Sequence, residues 1–381
     1  MNIVFIVSDY SGKAGGIRTY VHTVANALSG LGHHVTVMSP VLTPPPGARY
    51  ALSPVTPEAP PTARRIALSY EFARALRVLN RARRIDVVEA TDWGMEGVAC
   101  LGTVGAPVVV RLHTPNSVVD SLNEEGRALD RDAVNAGENE YFCTARFLSS
   151  PSHAMARLFT ERWSIAPDRI TVIPNPVAIE EIATGGPATP PPIAEGFQLA
   201  YVGRLERRKG VFVLARALAS VLGVLGDARA VFAGHDTRSG SASIGVQLRR
   251  ILAEFPGRVR FEGRLEHDRV IGVLGASHLV VLPSLWENFP YACLEAMACS
   301  RPVLASAGSG FDEIIRPGVD GYLVAPRDPG ALASALIAAR SADLLTMGRA
   351  ARNNVVRFDA RTVAYLIESY YRRVVAAWNQ K

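Results

Sequence analysis

Short apolar runs alternate along nearly the whole chain with stretches in which apolar residues recur every three or four positions. Residues 2–8, NIVFIVS, are a continuous apolar run of strand length that leads into a glycine-rich stretch, the pattern of a parallel strand buried on both faces. From Ile17 to Leu28 the apolar positions Val21, Val24, Ala25 and Leu28 fall on one helical face. Residues 34–38, 86–90, 106–112, 147–150 and 170–173 read as further strands, and 64–84 as a helix. Residues 40–62 contain eight prolines and are expected to form a surface loop, because proline interrupts helix and strand interiors.

Residues 184–196, TGGPATPPPIAEG, carry four prolines and three glycines and read as a linker. The alternation then restarts with strands at 198–202, 228–232, 259–261, 279–282, 302–305 and 322–324, and a helix at 210–222. A last helix, about 361–377, follows once the second series is complete. Strands alternating with helices predict parallel sheets covered on both faces. The chain is therefore expected to be α/β, with two doubly wound domains, 1–183 and 197–359, on either side of a 184–196 linker. Ligands of such folds sit at the carboxyl ends of the strands, and a cleft between two such domains is the default site.

Composition narrows the classes. A length of 381 residues supplies two sizeable cores, and 48% apolar with 20% charged residues is a globular balance. No apolar run reaches the roughly 18–20 residues of a membrane span. Met1–Asp9 runs into a strand pattern, unlike a cleaved signal peptide. The four cysteines, Cys100, Cys143, Cys293 and Cys299, have no C-x-x-C spacing and are expected to be reduced, buried thiols. The histidines lack zinc-ligand spacing, so no metal site is expected.

Net charge is +6, a balance that can serve nucleic acid or an anionic membrane. Residues 1–190 hold 17 basic and 18 acidic residues and the remainder 24 and 17, so the positive excess lies in the second half. That placement suits an anionic small ligand there, and no nucleic-acid partner is expected. Only three cations are lysines, Lys13, Lys209 and Lys381. A cytoplasmic location is expected. Helix 64–84 has one stripe of Leu68, Phe72, Ala75, Leu76 and Leu79 and another of Arg74, Arg77, Arg81 and Arg84, so peripheral contact with an inner membrane face through it is a further expectation.

Several constellations carry chemistry. Gly203-Arg-Leu-Glu-Arg-Arg-Lys-Gly210 follows a strand and opens a helix, where free N–H groups, Arg204 and Lys209 suit a phosphate. It lacks the G-K-[ST] ending of a Walker loop. Glu287-Asn288-Phe289-Pro290-Tyr291 with Glu295 follows the 279–282 strand, and an acid beside aromatics suits a sugar pocket. Gly15 and Gly16 permit close approach of a ligand to the backbone, without a G-x-G-x-x-G dinucleotide fingerprint. His113-Thr-Pro115 lies at the carboxyl end of a strand, and Glu89 and Asp92 near the end of another are expected to face the same mouth.

Taken together, G-G-I at 15–17, H-T-P at 113–115, I-P-N-P-V at 173–177, G-R-L-x-x-x-K-G at 203–210, E-N-F-P-Y-x-x-L-E-A-M-A at 287–298, R-P-V at 301–303 and D-G-Y-L-V at 320–324 resemble retaining glycosyltransferases of the GT-B architecture, family 4 type. Pro176, Ser300 and Ser309 depart from the residues common in that pattern. The resemblance implies two Rossmann-like domains, with a C-terminal helix, 360–381, completing the first, acceptor-side domain. It implies sugar transfer from a nucleotide-diphosphate sugar to a hydroxyl acceptor (glycan, lipid-linked or small molecule), with no cofactor and no metal. Arg204 and Lys209 would bind the diphosphate and stabilise the leaving group, and Glu295 the ribose. Glu287, with backbone amides near Asn288, Phe289 and Pro290, would hold the donor sugar beside Tyr291. Gly15 and Gly16 would let their loop approach the diphosphate, His113 would contact the sugar near the reacting centre, and Arg264 and Leu265 would lie near the base. The competing readings are a nucleotide-sugar epimerase or phosphorylase on the same scaffold, and a noncatalytic nucleotide-sugar-binding subunit.

Overall fold

A computed structural model describes residues 1–380 except 12–14, 44, 57–63, 125–128, 185–189, 191 and 240–241. Lys13, Lys381, and parts of the 40–62 loop and 184–196 segment thus lie outside the described residues. The chain forms two compact units. The first comprises Met1–Asp120, Gly126–Pro176 and Phe358–Lys381, and the second Ser121–Glu125 and Val177–Arg357. The boundary at 176/177 precedes the proline-rich segment because the helix Ile179–Thr184 packs on the second unit's helix Tyr291–Ala298.

In the first unit the strands are β1 (Asn2–Ile6), β2 (His34–Ser39), β3 (Ala51–Pro54), β4 (Val87–Thr91), β5 (Val108–Arg111), β6 (Phe147–Ser150) and β7 (Ile170–Val172). They form one parallel sheet in the order β3-β2-β1-β4-β5-β6-β7. β1, β4 and β5 are buried over almost every residue, which is why they read as unbroken apolar runs. β3 corrects the expectation of a loop throughout 40–62. It is an edge strand, paired only with β2 and ending at Pro54, a position where proline costs no central ladder bond.

The helix Arg64–Ala82 covers one face. Its Leu68, Phe72 and Leu76 pack into a core with Val4, Ile6 and Val88, each worth about 1.5–3 kcal/mol when fully buried. The apolar stripe singled out in the sequence is therefore mainly a core face, closed to lipid. The exposed face instead carries Ile66, Tyr70 and Val78 beside Arg74, Arg77 and Arg81. No single helix among the described residues is long and apolar enough to cross a membrane.

The second unit contains β8 (Gln198–Val202), β9 (Arg229–Ala233), the antiparallel ribbon β10 (Arg238–Ser239) and β11 (Ala242–Ser243), β12 (Val259–Gly263), β13 (Leu279–Leu282), β14 (Val303–Ser306) and β15 (Gly321–Val324). Apart from the ribbon they form a parallel sheet ordered β12-β9-β8-β13-β14-β15. Its core joins Leu199, Leu214, Leu218, Val281, Leu304 and Leu336. Three cysteines are buried free thiols, but Cys143 is exposed, on the outer side of its helix.

The terminal helix Ala360–Asn379 belongs to the first unit. Its Tyr371 hydroxyl donates to Glu89 on β4 at 2.6 Å, and Tyr370 donates to the Leu148 carbonyl of β6 at 2.9 Å. Glu89 is 3% exposed, so it lies under this helix and not at a site mouth, contrary to the expectation from its position near a strand end. Burial raises its pKa, opposed by Arg111 and by the Tyr371 hydrogen bond. Tyr371→Phe should cost about 1–3 kcal/mol, because it removes a donor from a buried carboxyl. Urea unfolding of the full chain measures this, and an unchanged midpoint would show that Glu89 does not depend on that hydroxyl.

Candidate functional site

The chemistry-bearing residues fall into two groups, one in each unit. In the second unit the turn after β8 leads through a 3₁₀ turn, Arg207–Lys209, into the helix Val211–Val224. Gly210 joins the two with φ +67°, and a Cβ there would lie 1.8 Å from the Pro283 carbonyl oxygen. Only glycine allows this turn to press against the end of β13, and that contact brings the 204–209 cations beside the 284–288 loop.

Glu287 is the hub of that contact. Its carboxylate accepts a short hydrogen bond from Lys209 Nζ and one of 2.9 Å from Ser284 Oγ. The Arg208 guanidinium stands 3.7 Å from its other oxygen. Burial opposes ionisation of Glu287. Lys209, Arg208 and the two hydrogen bonds outweigh that and hold its pKa below the usual carboxylate range. Arg208 also donates to Glu206 at 2.7 Å, and Arg204 approaches the same Glu206 oxygen at 3.2 Å. Three cations and two carboxylates thus form one chain of contacts, with Arg204 the most exposed member at 56% of its side chain.

Sequence reasoning did not find Arg208, which is 5% exposed. In the run Arg207-Arg208-Lys209 nothing distinguishes the buried arginine from the surface one. Glu206 and Ser284 were missed for the same reason.

The neighbouring loop is partly as expected. Gly310 N–H donates to the Glu287 carbonyl at 2.8 Å, so the 307–310 turn lies against Glu287 and Asn288. Of the three backbone amides expected near the sugar, Pro290 has no N–H. The amide of Phe289 is bonded to Asn288 Oδ1. The Phe289 side chain is 2% exposed and counts among the buried apolar residues. Tyr291, half-buried, begins the helix that carries Glu295. Glu295 is 8% exposed, and burial raises its pKa against the pull of His267, 3.8 Å away. Glu287 precedes that helix, so the two acids do not share one helical face. Arg264 is exposed and Leu265 half-buried, just beyond β12. His267, at the start of the next helix, was not singled out in the sequence, although it lies three residues after Arg264.

In the first unit Gly15 precedes the helix Gly16–Gly30, with φ −93° and open space where a Cβ would be. Both glycines are exposed, and at Gly15 neither positive φ nor crowding demands the residue. His113 follows β5. Its backbone N–H donates to Asp92 Oδ1 at 2.8 Å, and its Nδ1 lies 3.0 Å from the Arg111 carbonyl. Asp92 is 1% exposed, packed beneath His113. Arg111 is itself buried, bonded to the Ile173 carbonyl and Asn175 Oδ1 and stacked 4.7 Å from the Tyr20 ring centre. Glu138 accepts from the Gly94 amide at 2.8 Å and the Asn116 amide at 2.9 Å, which ties together the segments after β4 and β5. Burial pushes both Glu96 and Glu138 up to about 7.

Comparisons with known proteins identify the family and the fold. A model described as Glycosyltransferase Family 4 matches residues 14–181, and one described as Glycosyl transferases group 1 matches residues 196–341. The glycogen synthase of Mycobacterium tuberculosis is 28% identical over 410 residues, covering 97% of this chain and 94% of that protein. The D-inositol 3-phosphate glycosyltransferase of Acidothermus cellulolyticus is 28% identical over 355 residues, covering 85% and 78%. The solved structure of a sucrose-phosphate synthase from Thermosynechococcus elongatus superposes with a TM-score of 0.79 at 23% identity, covering 99% of each chain. With two parallel-sheet units and family models matching each in turn, the chain belongs to the family 4 (group 1) glycosyltransferases and has the GT-B architecture.

Proposed function

We propose that the protein transfers a sugar from a nucleotide-diphosphate sugar to a hydroxyl acceptor, with retention at the anomeric carbon and without a metal ion. The observation that carries this reading is the cation cluster at the turn after β8, where Arg204 pairs with Glu206 and Lys209 with the buried Glu287. The diphosphate would draw Arg204 from Glu206 and share Lys209 with Glu287. Both cations would then stabilise charge growing on the departing phosphate, an effect stronger in the transition state than in the bound substrate. These side chains do what a divalent ion does elsewhere, so the reaction needs none.

In the reaction the bond from the anomeric carbon to the phosphate oxygen breaks as the bond to the acceptor oxygen forms on the same face. The acceptor's proton passes to the departing phosphate oxygen. A double displacement would need a nucleophile and an acid about 5 Å apart at the reacting carbon, and the reading assigns Glu287 to the sugar hydroxyls instead. Its low pKa supports that task, since an ionised carboxylate accepts hydrogen bonds from hydroxyls. The same reading assigns Glu295 to the ribose hydroxyls, Arg264 and Leu265 to the base, and Asn288, Tyr291 and His113 to the sugar.

Lys209→Ala should lower kcat/KM by about 10²–10³, or about 2.7–4 kcal/mol. A rate near that of the unaltered enzyme in steady-state assays would remove Lys209 from the mechanism. Turnover should also persist in excess EDTA, and complete loss restored by Mg²⁺ or Mn²⁺ would overturn the metal-free route.

The outer face of helix Arg64–Ala82 supports reversible contact with anionic lipid, because Ile66, Tyr70 and Val78 are exposed among Arg74, Arg77 and Arg81. Vesicles containing phosphatidylserine should sediment the protein at low salt. Replacing Arg77 and Arg81 by Glu should release it, and equal binding to neutral vesicles would count against the electrostatic part.

A further inference from the structure

In the first unit a buried acid, Asp92, stands beside His113, the residue read above as the sugar contact. Asp92 closes β4 and opens the turn that follows, and its side chain is 1% exposed. A carboxylate taken so far out of water needs local donors, and the donors it has come from His113. The backbone N–H of His113 donates to Asp92 Oδ1 at 2.8 Å, and the imidazole Nδ1 lies 3.5 Å from the same oxygen. The Arg111 carbonyl stands 3.0 Å from Nδ1 on another side. That carbonyl also accepts the Asp92 backbone N–H at 3.2 Å, so the segments after β4 and β5 are joined by both main chain and side chain.

Two acceptors against one ring nitrogen decide the tautomer. A neutral imidazole has one N–H and one lone pair, and a lone pair at Nδ1 would face two oxygens with nothing to accept. The proton therefore sits on Nδ1 and the lone pair on Nε2. Nε2 has no hydrogen-bond partner among the described residues, and 13% of the His113 side chain remains exposed. The Tyr20 ring meets the imidazole edge-on at 6.1 Å, which limits its rotation. Glu138 holds the surrounding backbone through Gly94 and Asn116, so the ring is attached to a loop pair that is itself tied down.

We propose that Asp92 is a positioning residue that, together with the Arg111 carbonyl, holds His113 in place as the Nδ1-protonated tautomer, so that Nε2 accepts a hydrogen bond from a hydroxyl of the sugar being transferred. The inference rests on the reading above that His113 contacts that sugar. It adds a direction to the contact: His113 accepts from the hydroxyl and does not donate to it. A sugar lacking a hydroxyl at that point loses the interaction, and one that presents only an acceptor there meets lone pair against lone pair.

The test combines spectroscopy with kinetics on the full chain. In histidine-labelled protein, ¹⁵N chemical shifts distinguish protonated from bare ring nitrogens, and the His113 signals are assigned by their loss in H113A. Above neutral pH the His113 ring should show Nδ1 protonated and Nε2 bare. Asp92→Ala leaves the Arg111 carbonyl against Nδ1, so the Nδ1-protonated tautomer should persist, but it removes the acceptor of the His113 backbone N–H and should lower kcat by about 10–10², with the donor KM within about threefold, as expected when geometry in the transition state is lost and not binding. Asp92→Asn keeps an oxygen for the two His113 donors and should retain most of both. An unaltered enzyme with Nε2 protonated overturns the proposal. If D92A does not fold, the tautomer of the unaltered enzyme and the activity of D92N decide the matter: D92N with the Nδ1-protonated ring but kcat reduced as far as in H113A overturns the role. An impaired H113A beside a fully active D92A overturns the role of Asp92 alone. A fully active H113A overturns the placement of His113 at the sugar, and with it the role given to Asp92.

Discussion

Glu287 carries its charge where almost no water reaches it, and the second unit is arranged around that fact. Removing a carboxylate from water is costly unless cations and hydrogen bonds replace the solvent. Here the replacement comes from two directions. Ser284 approaches from its own loop, while Lys209 and Arg208 come from a turn 78 residues earlier in the chain. That pairing requires the turn to lie hard against the end of β13, and the contact in turn requires a residue without a side chain at position 210. Glu206 then balances the guanidinium that Glu287 leaves partly unpaired, and Arg204 is left at the rim. One desolvated charge thus fixes the spacing of four others, and the exposed members of the set are those assigned to the phosphate.

The first unit meets the same problem several times over. Among the described residues its buried charged side chains are mostly acids: Glu89, Asp92, Glu96 and Glu138. Each is held by backbone amides, hydroxyls, an arginine or a histidine, and each ties two segments together. Glu138 joins the turn after β4 to the segment after β5, and Glu96 accepts from the Ser8 amide after β1 at 2.9 Å. The loops that carry His113 are therefore cross-linked by carboxylates. A rigid platform of this kind suits a group that must act in one orientation.

How much of this could be read from the sequence depended on what each position's neighbours in sequence reveal. Central parallel strands such as β8 and β13 are buried on both faces, so their runs of apolar residues mark them plainly. β3 escaped because it is a half-exposed edge strand within a proline-rich stretch, where the local composition favours a loop. The helix at 64–82 was visible, but an amphipathic pattern alone does not say whether the apolar stripe meets a core or a lipid surface. The Arg204–Lys209 turn and the two glutamates were legible by motif. Arg208, the burial of Asp92 and the fate of Phe289 were not, because whether a charged or aromatic side chain is buried is decided by segments far away in the chain.

The terminal helix has a consequence for how the molecule is made. β4 and β6 receive the Tyr371 and Tyr370 hydroxyls from residues more than two hundred positions later. During synthesis, the stretch from Val177 to Arg357 emerges as one uninterrupted unit and can acquire its native contacts while the ribosome is still at work. The earlier sheet cannot: until Ala360–Asn379 has left the ribosome it has an uncovered face and a buried acid without its phenolic partner. The sheet that comes before the second unit in the chain is thus completed after it.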